Sequence, residues 1–199
     1  MDGQIITKAE LRQSCRDLRS SLDREYIEMA SEQAHELLIS TEEYRLAKTV
    51  LLYYPIKNEI SPLSIIESAK RDNKTVAFPL CNTESKTLSF KKVKSVDELK
   101  LTSFGLYEPQ KQCDDALVDE NTLCIVPAIA FSRDGQRIGY GMGYYDRFLK
   151  DFVGTSVGFS FSKLILSAIP KEAHDVPLDM IITESEVLYI AEKNKRFFT

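Results

Sequence analysis

The chain has 199 residues and contains no tryptophan, only two histidines, and four cysteines with no Cys-x-x-Cys spacing. Structural zinc needs closely spaced ligand pairs. Cys15, Cys81, Cys113 and Cys124 stand far apart in sequence, and neither His35 nor His174 lies beside them. Reduced thiols that pack rather than react are the expectation. No apolar run is long enough to span a bilayer, so no membrane partner is expected. The opening Met1-Asp2-Gly3 lacks the basic and then apolar pattern of an export signal, which predicts a cytoplasmic protein. Excess positive charge is missing too. Lys plus Arg is 26 against 30 for Asp plus Glu, a net charge of −4. Nucleic-acid binding draws on basic charge to displace counterions, so it is excluded as a general activity, whereas a local basic pocket for a small anion is not.

What is present is a globular composition. Apolar residues make up 43% and charged residues 28%, the proportions of a chain that folds around one core, and a single domain over residues 1–199 is predicted. Thr7-Lys8-Ala9-Glu10 has the Ser/Thr-x-x-Glu form of a capping box. Leu11, Cys15, Leu18 and Leu22 recur at helical spacing behind it, which predicts a helix from 8 to about 20. A second helix is predicted over 23–39 with Ile27, Ala30, Ala34, Leu37 and Leu38 inward, and a third from Pro62 to Ala69. The run Thr49 to Tyr54, ending at Pro55, suits a strand buried on both faces. Short strands are predicted at 75–78, 88–90, 123–126, 156–161, 180–183 and 187–190, with a short helix at 96–99. Alternation of this kind indicates an α/β fold with a mainly parallel sheet flanked by helices. The Lys193-Asn194-Lys195-Arg196 cluster reads as a solvated tail.

One segment carries chemistry: Arg137-Ile138-Gly139-Tyr140-Gly141-Met142-Gly143-Tyr144-Tyr145-Asp146-Arg147. Three glycines at alternate positions leave the backbone free to turn several N–H groups toward one point, and a helix-forming stretch follows. Arg137 and Arg147 offer paired donors suited to phosphate oxygens, and Asp146 offers a carboxylate for a hard cation. The spacing is neither the Gly-x-Gly-x-x-Gly of a dinucleotide fold nor a Gly-Lys-Ser/Thr phosphate loop. Gly-x-Gly alone reads rather as a turn between strand and helix, and it is the arginine, three glycines, two tyrosines and aspartate within ten residues that point to phosphate.

Those eleven residues resemble the signature of the 5-formyltetrahydrofolate cyclo-ligase family, also called 5,10-methenyltetrahydrofolate synthetases. The likeness continues in order along the chain. Lys8 with Arg12 resembles an N-terminal Lys-x-x-x-Arg, and Tyr54 with Glu59 an acidic substrate loop. Gly105 to Pro109, Val126 to Phe131, His174-Asp175, Asp179 and Ile182 to Glu184 follow. Ser61-Pro62 stands where Asp-Thr is usual, Ala128 where Gly is expected, and Met142 where glycine is common.

The resemblance implies a fold like the sugar-phosphate isomerase/CoA-transferase class. It also implies ATP- and magnesium-dependent closure of 5-formyltetrahydrofolate to 5,10-methenyltetrahydrofolate, with release of ADP and phosphate. A formamide oxygen is a poor leaving group, so the γ-phosphoryl group is transferred to it and nitrogen 10 then displaces phosphate. By the same resemblance, Lys8, Arg12, Arg137, Ile138, Gly139, Tyr140, Gly141, Met142, Gly143, Tyr144 and Tyr145 bind ATP. Tyr54, Glu59 and Tyr145 meet the folate, and Asp146 and Asp175 hold magnesium. Arg137, Tyr144 and Tyr145 act in catalysis. By themselves Lys8 and Arg12 read as solvent-facing charges, Glu59 as a loop acid, Asp175 as a helix cap and His174 as a surface residue. A monomer is expected. The alternative class is a folate- or nucleotide-binding protein of the same fold without turnover.

Overall fold

The computed structural model describes residues 7–190; the basic cluster at 193–196 lies outside them. Five α-helices occur in the described chain, α1 (Lys8–Ser20), α2 (Arg24–Ser40), α3 (Glu42–Leu46), α4 (Ile65–Arg71) and α5 (Tyr144–Lys150), with single 3-10 turns at Val96–Glu98 and Ser162–Leu164. The larger strands are β1 (Thr49–Leu51), β2 (Thr75–Asn82), β3 (Thr87–Lys92), β6 (Thr122–Val126), β9 (Thr155–Phe159), β11 (Met180–Ile182) and β12 (Val187–Tyr189). Shorter ones are β4 (Lys100–Leu101), β5 (Tyr107–Glu108), β7 (Ala130–Ser132), β8 (Arg137–Ile138) and β10 (Ile165–Leu166).

The main sheet has the order β12-β11-β9-β6-β1-β2-β3. Its five central strands run parallel, and only the edge strands β12 and β3 are antiparallel. Successive side chains of a strand point to opposite faces. Val50 and Leu52, Leu123 and Ile125, and Met180 and Ile182 therefore pack with helices α1 to α4 on one face. Leu51, Cys124, Val126 and Ile181 pack on the other with α5, whose Phe148 ring lies 4.9 Å from that of Phe90 on β3. Burial on both faces is why these strands read as continuous apolar runs. A second sheet, β10-β7-β8, and the hairpin β4-β5 complete the fold.

Helix α1 begins where the capping box placed it. The Thr7 hydroxyl accepts from Glu10 N–H at 3.3 Å, and Glu10 Oε2 accepts from Thr7 N–H at 2.8 Å. Its inward face differs from the expectation: Leu18 is largely exposed, and Arg19 is buried beside Cys15. Helix α4 starts three residues after Pro62, because the first turn closes through tighter bonds from Ile65 N–H to Pro62 O and from Ile66 N–H to Leu63 O. Strand β2 continues through Pro79 to Asn82 instead of ending before the proline. Val76 O accepts from Val93 N–H, on the β3 side, and Ala77 O accepts from Leu52 N–H, on the β1 side. By alternation the imide nitrogen of Pro79 also points to the β1 side, where the β1 ladder has already ended at Ala77, so no ladder bond is lost.

Chain order sets the position of the site. After β1 the chain crosses to β2 on one side, and it returns later to place β6 on the other. Loops leaving the carboxyl ends of β1 and β6 diverge at such a switch point and open a crevice, the usual location of ligand sites in open α/β sheets.

Candidate functional site

A cavity of about 760 Å³ opens there. Tyr53, Tyr54, Ile56 and Glu59 reach it from the loop after β1, and Pro127 from the loop after β6. Lys8 and Arg12 enter from the first turns of α1, the segment Arg137 to Asp146 forms one wall, and Asp175 approaches from the loop before β11. Every residue that the resemblance assigns to ATP, folate or magnesium therefore borders one space.

The glycine segment links β8 to α5. Gly141 and Gly143 have φ of 96° and 65°, a region that side-chain-bearing residues rarely adopt, and Gly143 caps α5. Arg12 Nε donates to Gly139 O at 2.9 Å, which ties the segment to α1. Arg147, expected to face a phosphate, is not part of the cavity wall. Its guanidinium donates to Met142 O and Lys86 O, so it braces the segment from behind. Arg137 is buried. It donates to Asp146 Oδ1 through one nitrogen and to Val176 O at 2.6 Å through another. Burial pulls its pKa down, and Asp146 and Asp175 push it back up, so both carboxylates act on this one guanidinium.

Lys8 Nζ lies 2.6 Å from Asp175 Oδ2 and 3.3 Å from Glu172 Oε2. Burial opposes the charge on Asp175, but hydrogen bonds from Lys8 and the Glu172 N–H outweigh it and leave the carboxyl below its ordinary value. Glu172, His174 and Asp175 bring one ligand atom each within 4.8 Å of the others. Asp146 is instead paired with Arg137.

The other end of the cavity is built around Glu59, whose side chain is 4% exposed. Tyr140 donates its hydroxyl to Glu59 Oε1, and Ile56 N–H donates to Oε2 at 2.9 Å. Burial raises the Glu59 pKa, while Tyr140, Ile56, Arg19 and Lys57 counter it. The Tyr140 side chain thus turns to Glu59, while its backbone belongs to the glycine segment expected at the triphosphate. Tyr54 stacks on Tyr107, ring centroids 4.4 Å apart. Tyr145 brings its hydroxyl to a fully buried position with no hydrogen-bond partner among the described residues. A buried tyrosine hydroxyl normally finds one, so this atom is placed to meet a ligand.

Sequence alone does not single out Tyr53, Cys81, Phe104, Tyr107 and Glu172 along the cavity walls, nor Arg19, which lies behind Glu59. Arg19 had a usable signal, since it lies one helical turn after the inward Cys15. The β4-β5 hairpin shows no period, because its strands have two residues each, and only the resemblance at Gly105 to Pro109 marks it.

Comparison with known proteins agrees with this geometry. A sequence profile described as the 5-formyltetrahydrofolate cyclo-ligase family matches residues 4–184. The 5-formyltetrahydrofolate cyclo-ligase of Haemophilus influenzae is 29% identical over 176 residues, covering 86% of this chain and 94% of that protein. The enzyme of the same name from Escherichia coli K12 is 28% identical over 177 residues, covering 86% and 97%. The NMR structure of Aquifex aeolicus 5,10-methenyltetrahydrofolate synthetase superposes with a TM-score of 0.78 at 32% identity over 93% of each chain. With the profile spanning nearly all of the chain and the solved relative sharing its fold, the protein belongs to the 5-formyltetrahydrofolate cyclo-ligase family.

Proposed function

We propose that the protein closes 5-formyltetrahydrofolate to 5,10-methenyltetrahydrofolate at the expense of ATP. The observation that carries this reading is the union, in one cavity, of a cation- and glycine-lined end with a buried acceptor and aromatic end. The first suits a triphosphate and the second a reduced pterin. The volume lies toward the upper end of the range for small-molecule sites, as two neighbouring ligands require.

Lys8, Arg12 and the backbone N–H groups of Ile138 to Gly143 neutralise and hold the phosphates, with Tyr144 beside them. Glu59 accepts hydrogen bonds from the N–H groups of the reduced pterin, and Tyr54 with Tyr107 gives a flat apolar face for the ring. Tyr145 directs its unpartnered hydroxyl at the reacting formyl group, and Arg137 supplies positive charge beside it. The formyl oxygen attacks the γ-phosphorus and ADP leaves. Nitrogen 10 then adds to the activated carbon and releases its proton to solvent, and phosphate departs with the original formyl oxygen to leave the methenyl cation. Most of the acceleration comes from holding the two substrates in line and neutralising charge, since the chain need not form a covalent bond.

Asp146 and Asp175 are oxygen donors of the hard kind that magnesium takes, and both lie close enough to Arg137 to act on its charge. These residues fit the ion, which when bound would neutralise phosphate charge. Lys8 pairs with Asp175 and Arg137 with Asp146, so the carboxylates that would hold the ion already lie against positive charge. The fold is assigned to the sugar-phosphate isomerase/CoA-transferase-like class, as one cyclo-ligase domain over residues 1–199, acting as a cytoplasmic monomer without nucleic-acid or membrane partners. Among the described residues no helix is long and apolar enough to cross a membrane.

The test is the methenyl-folate absorbance band in a mixture of protein, 5-formyltetrahydrofolate and magnesium, with and without ATP. Growth of the band only with ATP, matched by phosphate release, is expected. Folate binding with no growth would support the non-catalytic alternative instead.

A further inference from the structure

We infer that Arg19, in the last turn of α1, is a positioning residue for the folate end of the site: its buried guanidinium holds Glu59 as an oriented carboxylate, directly and through Tyr140. The inference rests on the reading of Glu59 as the folate acceptor and adds a residue that this reading does not contain.

Arg19 is 3% exposed, an unusual position for an arginine on a short surface helix. Its Nη1 lies 3.6 Å from Glu59 Oε1 and donates to Ala128 O at 3.3 Å. Its Nη2 donates to the Tyr140 hydroxyl at 2.7 Å, and that hydroxyl donates onward to Glu59. The guanidinium therefore polarises the same Tyr140 O–H that fixes Glu59 Oε1, while Ile56 N–H fixes Oε2. Each carboxylate oxygen keeps a lone pair for a ligand.

The charges around Glu59 show why Arg19 matters. Tyr53 faces it from the end of β1, Tyr140 from the glycine segment and Tyr145 from α5; burial pushes all three hydroxyls above their usual pKa, so they stay neutral. Lys57, in the same loop as Glu59, is exposed to solvent. Among the described groups acting on Glu59, Arg19 is thus the one buried countercharge. A buried carboxylate without a partner takes up a proton. Protonated Glu59 would present an O–H donor to a pterin edge that is itself rich in donors, and its recognition would be inverted.

A cavity of about 10 Å³ beside Arg19, Glu59 and Ser160 is close to the minimum size for one water. Arg19 Nε, buried with no partner among the described residues, is the donor that such a water would satisfy. Because Lys8 and Arg12 lie on the same helix, α1 spans the site from its triphosphate end to the support of its folate end.

The test follows the Glu59 carboxyl itself by carbon-13 NMR titration of the full chain, with the signal assigned by its loss in Glu59→Gln. Arg19→Gln keeps hydrogen-bonding capacity without charge, and Arg19→Lys keeps charge. In Arg19→Gln the Glu59 midpoint moves up, and 5-formyltetrahydrofolate affinity falls about tenfold for each unit by which that midpoint exceeds the assay pH. The loss recovers as pH rises, while ATP affinity stays within about twofold, and Arg19→Lys lies between the variant and the wild type. An unmoved Glu59 midpoint, or a folate loss of equal size at every pH, overturns the inference. If Arg19→Gln does not fold, adding Glu59→Gln should restore folding, because removing both charges relieves a broken buried pair; failure to restore it counts against the inference. Absence of folate binding by the wild type would refute the folate role of Glu59, and the carboxyl titration would still report on Arg19.

Discussion

Replacing Tyr145 by phenylalanine removes one oxygen from the centre of the site, and the structure sets the sign of the outcome. That oxygen is buried and has no hydrogen-bond partner among the described residues. Burying an unsatisfied hydroxyl costs about 1–3 kcal/mol, a cost that phenylalanine does not incur at nearly the same volume. The free protein should therefore become more stable by about 1 kcal/mol, which for a chain of this size raises the melting temperature by about 2–4 °C. Turnover should move the other way. A hydrogen bond formed only at the reacting formyl group contributes about 1.5–3 kcal/mol when charge develops there, so kcat should fall by about 10- to 150-fold. Thermal melts of the ligand-free variant and initial rates at saturating ATP and folate provide the two readings. Destabilisation of the free protein together with unchanged kcat would refute the reasoning, because the hydroxyl would then have a structural partner and no reacting one.

Gly141→Ala should leave the melting temperature within about 2 °C, since an added Cβ meets no atom within 4 Å, but the positive φ costs a side-chain-bearing residue about 1–3 kcal/mol. The segment should shift to relieve that cost, so KM for ATP should rise about tenfold while KM for folate stays unchanged; steady-state kinetics in each substrate would show this. Arg137→Ala should lose both activity and about 3 kcal/mol of stability by denaturant melt, because it leaves Asp146 and Val176 O without their buried partner. That differs from the loss of turnover alone expected of a residue reserved for phosphate. Glu184 accepts from Tyr26 Oη at 2.6 Å and Ser162 N–H at 2.8 Å, bonds that outweigh burial and hold its pKa below 4.5. A depressed acid stabilises above its unfolded pKa and loses that contribution as pH falls through its folded value. Glu184→Gln should thus cost about 1–2 kcal/mol at neutral pH, with the gap from wild type closing below pH 4.5 in melts across the acid range.

Much of this molecule was legible before its structure. The capping box placed the start of α1 at the observed residue, and doubly buried strands such as β6 were visible as apolar runs because both of their faces meet helices. Contiguous sequence also revealed the glycine segment, since a backbone that must turn N–H groups inward needs glycine at fixed spacing. The failures share a cause: they depend on partners distant in sequence. Helical spacing points Leu18 inward and an arginine is ordinarily exposed, whereas the partners that explain the burial of Arg19, namely Glu59, Ala128 O and the Tyr140 hydroxyl, all lie far along the chain. Pro79 was expected to end a strand, and its tolerance depends on where the neighbouring ladder stops. That Arg137 and Asp146, nine positions apart, pair with each other is likewise invisible from sequence. Strands β7, β8 and β10 are too short to show a period.

The most direct test of the account is the fate of the formyl oxygen. With 5-formyltetrahydrofolate labelled with oxygen-18 in the formyl group, one turnover with magnesium and ATP should deliver the label into released inorganic phosphate, because phosphate leaves with that oxygen. Unlabelled phosphate formed alongside labelled water would contradict phosphorylation of the formyl oxygen. No methenyl product at all, under conditions where both ligands bind, would contradict the proposed activity.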